Sequence, residues 1–502
     1  SASAIASQLA GDNTLLDGAE SLVVDGGDTT VAGAANIQSS ASYDASSSTY
    51  TVSDTAGSIL EAQGTVIDEG ITDINVTNTV GAGVGVQLAN LEDASLNLGT
   101  GFSADVFFDV SDDANAIAQA LVSAGTGTAL DNAEDVEVDG GDVSMASAAD
   151  IQAIANYDSG ASSYTISDTA GAILGDPSTS VEQGVTTIDV DGPVGAGVGV
   201  QLGAFEDSIY GVTGYSSDVQ FEVQDDANDI AQALIDSGMS SLDNAGDVEV
   251  DGGVVSVDSA ADIQGIAAYN ASASDYAIED SSAAILSEQG FSAVVDSGVE
   301  QVFVTDTVNV ADGVSLSEME VALEAERSTA DIDFDVAGSA SDIIAHASDL
   351  SGASIVTVTD ATGAGYVDAS DGAALNALEV SLVNDDSQSD VLFNVEDSAS
   401  AIASQLAGDN TLLDGAESLV VDGGDTTVAG AANIQSSASY DASSSTYTVS
   451  DTAGAILGDT STVIDDGVST INVDGPVGAG VGAQLGELED ASFETGFSAD
   501  VN

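Results

Sequence analysis

The chain has 502 residues, and its 86 aspartate and glutamate residues stand against one arginine, Arg327, and one histidine, His346, which gives a formal charge of −85 at pH 7. Nucleic-acid binding requires lysine and arginine side chains that neutralise phosphates, so we predict no nucleic-acid partner and expect cations as natural partners. The chain has no cysteine, which excludes disulfide bonds and thiolate metal sites.

Hydrophobic residues make up 43% of the chain and fall in regular short runs, which disordered acidic tails lack. We therefore predict a folded protein with a thin, repetitive core. No run approaches the roughly 18 consecutive apolar residues of a membrane span, so we predict no membrane insertion. The chain starts at Ser1 inside a repeat, without a signal peptide, and we expect both ends to be cuts through a longer array.

Four short sequence families follow one another in the first part of the chain. They are VDGG from Val24, YTVSDTAGSIL from Tyr50, INVTN around Val76 and FDVSDDANAIAQAL from Phe108. In the second family, alternating apolar and small polar residues predict a short strand, the Ser-Asp pair predicts a helix N-cap, and the closing apolar run predicts a short helix. The repeat is therefore a strand, an acidic cap and a short helix.

The same families recur along the whole chain and predict its strands. Together they place 17 strand centres at spacings of 22 to 37 residues, at Val24, Val52, Val76, Val110, Val138, Ile166, Val190, Val223, Val250, Ile278, Val304, Val336, Val358, Val395, Val421, Val449 and Val473. Four repeats form a superperiod near 113 residues. Residues 398–454 duplicate residues 1–57 without a change, which suggests recent exchange among tandem copies.

Repeats of this size predict an α/β solenoid. A unit of about 28 residues cannot bury its own apolar face, whereas stacked units can. We therefore predict one continuous solenoid over residues 1–502, with a parallel β-sheet on one side and short helices on the other. Helices are expected within Ala114 to Val122, Ala146 to Tyr157 and Ala227 to Ile235. At ~4.8 Å per strand, such a stack would form a rod roughly 80 Å long.

An all-β solenoid is the alternative. The third family supports it, because the segment GPVGAGVGV from Gly192 is rich in glycine. Each glycine in a helix interior costs roughly 1 kcal/mol relative to alanine. The composition leaves both architectures open.

An aspartate follows nearly every predicted strand centre by one or two residues. These candidate metal ligands are Asp25, Asp54, Asp112, Asp139, Asp168, Asp191, Asp225, Asp251, Asp280, Asp306, Asp360, Asp397, Asp422, Asp451 and Asp474. In a stacked solenoid they would form a column of carboxylates on one edge, close enough to repel. Calcium tolerates irregular cages of carboxylate and carbonyl oxygens, so one interpretation is a row of calcium sites that hold neighbouring repeats together.

The other interpretation of these aspartates is purely local. Each would cap the helix that follows it, because its side-chain oxygen accepts a hydrogen bond from the first turn. The two roles are compatible, since a capping carboxylate keeps a second oxygen. The sequence contains neither the twelve-residue calcium loop nor the glycine-rich calcium nonapeptide, so the case for calcium depends on the total charge.

Tyrosine pairs seven residues apart recur once per superperiod, as Tyr43 with Tyr50 and Tyr157 with Tyr164. We expect them to cover the edge of the core, with sugar stacking as the alternative. No catalytic constellation accompanies them: the only histidine has no repeated partner, and the sequence has no G-x-S-x-G motif. Aspartate pairs occur in every repeat, whereas catalysis needs one distinctive site, so we predict that the protein is not an enzyme.

The cassettes YTVSDTAGAIL and YTISDTAGAIL, with spacers rich in Ala, Asp and Val, resemble repeats of very large bacterial surface and secreted proteins. Those proteins include tandem-repeat adhesins and surface-layer-like proteins, many of them calcium-dependent. The resemblance covers all 502 residues. It implies an extracellular or cell-surface location and a scaffold role.

Two functions follow as hypotheses. The first is a structural protein, a subunit or segment of a cation-stabilised filament or surface fibre in which copies of the chain associate head to tail or laterally. The second is a calcium-dependent adhesin stalk, or a repeat array that binds a glycan or a surface.

Overall fold

The computed structural model describes residues 1–12, 14–97, 104–125, 127–210, 217–238, 240–350, 352–360, 366–385, 390–494 and 499–502. They form an α/β protein in which short strands alternate with helices, as predicted. The strands are β1 Asp25–Thr29, β2 Thr49–Asp54, β3 Ile71–Val76, β4 Asp105–Phe107, β5 Asp109–Asp112, β6 Asp135–Val143, β7 Ser163–Asp168, β8 Val185–Val190, β9 Asp218–Gln220, β10 Glu222–Asp225, β11 Asp247–Val255, β12 Asp275–Asp280, β13 Val299–Val304, β14 Asp331–Gly338, β15 Ala353–Val358, β16 Tyr366–Val367, β17 Asp390–Leu392, β18 Asn394–Asp397, β19 Ser418–Thr426, β20 Thr446–Asp451, β21 Val468–Val473 and β22 Asp500–Val501.

The helices lie in the connections between these strands, as parallel pairing requires. They are α1 Ala2–Leu9, α2 Val31–Gln38, α3 Ala56–Glu61, α4 Gln63–Val66, α5 Ala82–Asn97, α6 Ala114–Ala124, α7 Met145–Gln152, α8 Ala170–Gly175, α9 Pro177–Ser180, α10 Ala196–Tyr210, α11 Ala227–Ser237, α12 Val257–Gln264, α13 Ser282–Ile285, α14 Glu288–Val294, α15 Val310–Glu326, α16 Ala340–Ala345, α17 Ala369–Asp385, α18 Ala399–Gln405, α19 Val428–Ser436, α20 Ala453–Gly458, α21 Thr460–Val463 and α22 Ala479–Glu494. Two single-turn 3-10 helices are Ala45–Ser47 and Ala347–Asp349.

The described residues divide into two compact units. Unit 1 comprises residues 1–225, 232–248 and 266–268, and unit 2 comprises residues 226–231, 249–265 and 269–502. The sequence-based expectation of one continuous array over residues 1–502 stays a prediction.

In unit 1, each strand pairs in parallel with its neighbour in the chain, in the orders β1-β2-β3-β4 and β5-β6-β7-β8-β9. Phe108 alone separates β4 from β5, and Val80 bridges to Val110. In unit 2, β12-β13-β14-β15-β17 are consecutive in one sheet and β16-β18-β19-β20-β21-β22 in another. The predicted parallel pairing of successive repeats is confirmed.

One face of these strands carries the core. In β2, Tyr50 and Val52 are buried, whereas Thr51 and Ser53 between them are partly exposed. Parallel pairing places Val52 beside Ile74 of β3, and both are buried. The period-two pattern of the sequence therefore reports which strand face is apolar.

Of the 17 predicted strand centres, all but Val24 lie within strands, and Val24 directly precedes β1. The prediction missed the short strands β4, β9, β16, β17 and β22. Of the predicted helices, α6 and α11 cover the expected segments. The third, α7, ends at Gln152 because the chain then turns and Tyr157 bridges to Val136.

The all-β alternative is wrong, because the glycine-rich segment forms helix α10. A Cβ atom on Gly199 would lie 2.7 Å from Val223 Cγ2 and 3.1 Å from Leu242 Cδ2. Equivalent close contacts occur at Gly85, Gly313 and Gly372. The glycines thus allow each helix to approach a later strand closely, and this packing offsets their low helix propensity.

The VDGG family forms a bulge at the end of its strand. In β1, Gly26 and Gly27 have φ angles of 69° and 94°, a left-handed conformation that favours glycine. The register with β2 shifts between Asp25 and Asp28, which marks the bulge. The same shift recurs in β6, β11 and β19.

Candidate functional site

The aspartate that ends β2 joins two successive repeats. Asp54 Oδ1 accepts a hydrogen bond from the backbone N–H of Thr55 at 2.8 Å. Its Oδ2 accepts a second one from the N–H of Val31 at 3.1 Å. Val31 is the first residue of α2, the helix that precedes β2 in the chain. The carboxylate is therefore bound at both oxygens, and one of these bonds reaches into the preceding repeat.

This link recurs at eight of the predicted aspartates, always with the first N–H of the helix before the strand. The donor and acceptor pairs are Val31 with Asp54, Ala82 with Asp112, Met145 with Asp168, Ala196 with Asp225, Val257 with Asp280, Ala340 with Asp360, Ala369 with Asp397 and Val428 with Asp451, at 2.8 to 3.2 Å. The first N–H groups of a helix have no partner inside it, and the positive end of the helix dipole favours a carboxylate. We call these eight carboxylates the repeat links.

A ninth predicted aspartate makes a variant of the link. Asp306 accepts from both the backbone N–H of Ser282, at 2.6 Å, and the Ser282 hydroxyl, at 2.7 Å. These two hydrogen bonds lower the pKa of Asp306. In the equivalent place of the first superperiod, the neutral Asn78 side chain accepts from the Ala56 N–H at 3.1 Å. The shared feature is thus the hydrogen bond, and a full negative charge is not required for it.

The expectation that each aspartate caps the helix after it is wrong for these residues. The following helix is capped by the next residue instead: Thr55 Oγ1 accepts from the Ser58 N–H of α3, and Thr169 Oγ1 accepts from the Ala172 N–H of α8. The strand directs the aspartate side chain sideways towards the neighbouring repeat, whereas the next residue stands at the N-cap position with extended backbone.

The other six predicted aspartates are exposed. They are Asp25, Asp139, Asp251 and Asp422, which directly precede the Gly-Gly bulges, and Asp191 and Asp474, which follow β8 and β21.

The strand registers do not stack the predicted aspartates on one another. Asp54 lies opposite Val76, Asp168 opposite Val190 and Asp112 opposite Val138. The predicted column of adjacent like charges is wrong at these positions, because aspartate-bearing strands alternate with strands that carry valine at that register. Binding of an ion at any of the fifteen aspartates stays a prediction.

Among the predicted metal ligands, Asp225 is a repeat link through its Oδ2. Calcium as a cofactor stays a prediction.

The two unique side chains have different surroundings. Arg327 donates to the backbone carbonyl of Ser274 at 3.1 Å and forms an ion pair with Asp275 at 3.5 Å and with Glu300 at 4.0 Å. His346 follows α16 and is exposed, with Nδ1 2.9 Å from the carbonyl oxygen of Asp342.

The tyrosine pairs belong to the core, as expected. Tyr50 is buried, and its hydroxyl accepts from Gln38 Nε2 at 3.2 Å, while the Tyr43 hydroxyl donates to Asp68 at 2.5 Å. In the third superperiod, burial raises the pKa of Tyr276 to about 12. The first tyrosine of each pair is half-buried at the edge of the core, and the sugar-stacking alternative stays a prediction for it.

One recurrent set of side chains was missed at the level of sequence. The five long helices α5, α10, α15, α17 and α22 each carry a glutamate as their eleventh residue. The next strand in the chain after each of these helices begins with an aspartate. The fixed position of the glutamate within the helix is a sequence signal, but it can be recognised only when the first residue of each helix is known.

No protein-family model matches the chain, and no curated protein is significantly similar to it. Within the described ranges, none of the helices has the length and apolar character that a bilayer crossing needs.

Proposed function

We propose that this protein is a structural component outside the cell, a segment or subunit of a filament or surface fibre built as a solenoid of strand–helix repeats. The observation that carries the proposal is the repeat link, which joins one repeat to the next by the same hydrogen bond eight times. A contact that recurs in this way suits a scaffold, because it singles out no unique reaction centre.

Association of copies is part of the proposal. Equivalent strands of different superperiods pair in parallel with the same register. An edge strand therefore presents backbone N–H and C=O groups with which a further repeat could pair. Unpaired strand edges favour addition of another chain, and a heterologous contact of this kind generates fibres. We therefore propose head-to-tail association of copies.

Cation stabilisation is supported by carboxylates that the registers place side by side. Asp73 lies opposite Asp105, and Asp109 lies opposite Asp135. Burial, together with the charges of Asp158 and Asp109, raises the pKa of Asp135. Divalent cations with oxygen ligands relieve such repulsion, and calcium is the cation that tolerates irregular geometry.

The third superperiod offers an internal precedent for this neutralisation. Asp251 lies opposite Asp275, and Arg327 forms ion pairs with both Asp275 and Glu300. The chain has no other arginine or lysine. We propose that solution cations fill this role at the other carboxylate pairs.

Thermal unfolding followed by circular dichroism tests the ion requirement. The full chain is melted with a chelator, with millimolar calcium, and with sodium chloride at matched ionic strength. We expect calcium to raise the midpoint more than sodium chloride does, because an ion that binds only the folded state stabilises it. An equal rise in both salts would reduce the effect to charge screening and remove calcium from the proposal.

Electron microscopy of the native material tests the filament. Long uniform fibres are the expected result. Isolated rods that end in a distinct tip would contradict head-to-tail association and favour the adhesin stalk.

A further inference from the structure

The glutamates of the long helices are each followed by an aspartate at the start of a later strand. The pairs are Glu92 with Asp105, Glu206 with Asp218, Glu320 with Asp331, Glu379 with Asp390 and Glu489 with Asp500. Every glutamate is the eleventh residue of its helix, and every aspartate is the first residue of its strand. We call them the helix–strand acid pairs.

Among these glutamates, Glu206 is buried and the other four are half-buried. The Glu206 side chain is only 5% exposed, and its Oε2 is buried without a hydrogen-bond partner. Glu379 Oε2 is likewise buried without a partner. In the third pair, burial first, and then the neighbouring Asp331 carboxyl, raise the pKa of Glu320. Two carboxyl groups side by side in a partly buried place favour a proton on one of them.

The space around these oxygens is closed. A Cβ atom on Gly352 would overlap Glu320 Oε2, and a Cβ atom on Gly415 would overlap Glu379 Oε2. In two other copies, the residues at the same place in the sequence motif are Asn132 and Asn244, and Asn244 is hydrogen-bonded to Glu206. The glutamate therefore packs against backbone or an amide, and this arrangement suits a bound proton better than a hydrated cation.

The charged groups that face these glutamates are carboxylates. Asp331 of β14 and Glu324 of α15 face Glu320, and Gly352 in the turn before β15 lies against its carboxyl group. Asp218 of β9 and Asp207 of α10 face Glu206, and Asp390 faces Glu379. Asp105 and Asp93 face Glu92. Because these neighbouring side chains are all carboxylates, none of them can neutralise the glutamate, whereas a bound proton can.

We propose that the helix–strand acid pairs of Glu206, Glu320 and Glu379 are proton-binding sites that make the contact between each of these long helices and the following strand dependent on pH. With one proton per pair, the two carboxyl groups share a hydrogen bond across the contact. When the proton is lost, two negative charges remain side by side in a partly buried place, and the contact loosens.

The direction of the pH effect follows from the third pair. Burial, followed by the hydrogen bond and charge of Asp331, raises the pKa of Glu320 from 4.5 to about 8. The folded state therefore holds a proton that the unfolded state releases between these two values. The stabilisation is complete below the unfolded pKa and is lost as the pH rises through the folded pKa.

Carbon-13 NMR titration of the side-chain carboxyl groups in the full chain tests the proposal. We expect one glutamate resonance with a midpoint near pH 8, and we expect Glu320→Gln to abolish it. Glu318, which is exposed on the same helix, provides the matched variant Glu318→Gln with the same loss of charge. That variant should keep the resonance. A Glu320 midpoint near the ordinary value of 4.5 would overturn the proposal.

Unfolding as a function of pH supplies the second readout. At constant ionic strength and with a chelator present, the midpoint temperature of the native chain should fall between pH 6 and pH 9. In the triple variant Glu206→Gln/Glu320→Gln/Glu379→Gln this fall should be reduced, since the amides cannot ionise. An unchanged fall in the triple variant would assign the pH effect to general repulsion and would contradict the proposal. The outcome is independent of calcium binding and of filament formation.

Discussion

At the scale of the residue, the strand-end aspartate acts through its two oxygens. One oxygen bonds the following N–H, as Asp168 does with Thr169, and the other bonds the first N–H of the preceding helix, as Asp168 does with Met145. A side chain that satisfies a helix N-terminus typically contributes about 1 kcal/mol. Because the link recurs along the chain, these small contributions together stabilise the contact between neighbouring repeats without a large core.

Replacement of Asp168 tests the repeat link. We expect Asp168→Ala to raise the exchange rate of the Met145 amide about fivefold, which corresponds to about 1 kcal/mol of lost protection. Asp168→Asn should retain most of the protection, because Asn78 makes the same bond elsewhere. Hydrogen exchange of peptides that cover α7 measures both.

The control for this experiment is Asp191→Ala, which removes the same charge from an exposed strand end. Its α7 exchange should equal that of the native chain. Equal loss of protection in both alanine variants would show that net charge, and not the hydrogen bond, is what matters.

At the scale of the element, the long helices show why a glycine-rich segment is helical here. The close approach of α10 to β10 requires that Gly199 has no side chain, since Val223 and Leu242 occupy the space. Tight packing of this kind gains dispersion and apolar burial, which outweigh the propensity cost of glycine.

Two alanine substitutions in α10 separate these effects. Gly199→Ala should destabilise unit 1 by roughly 1–3 kcal/mol, because the added methyl overpacks the helix–strand contact. Gly197→Ala, in the same helix but with nothing within 4 Å of the added Cβ, should be neutral or stabilise by up to about 1 kcal/mol. Urea unfolding monitored by circular dichroism measures the shift. A stabilising Gly199→Ala would contradict the close packing.

At the scale of the whole molecule, the duplicated segment shows how context alters one sequence. β1 spans Asp25–Thr29, whereas its duplicate β19 spans Ser418–Thr426. The longer strand arises because β18 pairs with Ser418–Val421, while β1 is the edge strand of its sheet. As a result, Val23 is 43% exposed and its duplicate Val420 only 7%.

The same substitution in the two copies should have unequal effects. Val420→Ala removes two buried methyl groups and should cost about 1.5 kcal/mol. Val23→Ala should change stability by less than about 0.5 kcal/mol, because its side chain is already partly in water. Urea unfolding of the two variants measures the difference, and equal effects would contradict the unequal burial of the copies.

Much of the fold was predictable from local patterns. The period-two apolar pattern located strands such as β2 and β7, and the Ser-Asp pair located the helix starts to within a residue, because strand faces and helix caps depend on residues close in sequence. The short strands β4 and β17 were not predictable in this way. Each has three residues, and each is a strand because a neighbour supplies its hydrogen bonds.

The candidate site divides in the same manner. Sequence alone determined the repeat and the aspartate at the strand ends, and it favoured parallel strand–helix repeats over the all-β alternative, because spacing and side-chain chemistry are local properties. Only the tertiary structure decided that Asp54 binds the helix before it, that Gly199 belongs to a helix, and that Glu206 is enclosed. Those features depend on which repeat lies beside which and at what register, and contacts between residues 20 or more positions apart set them.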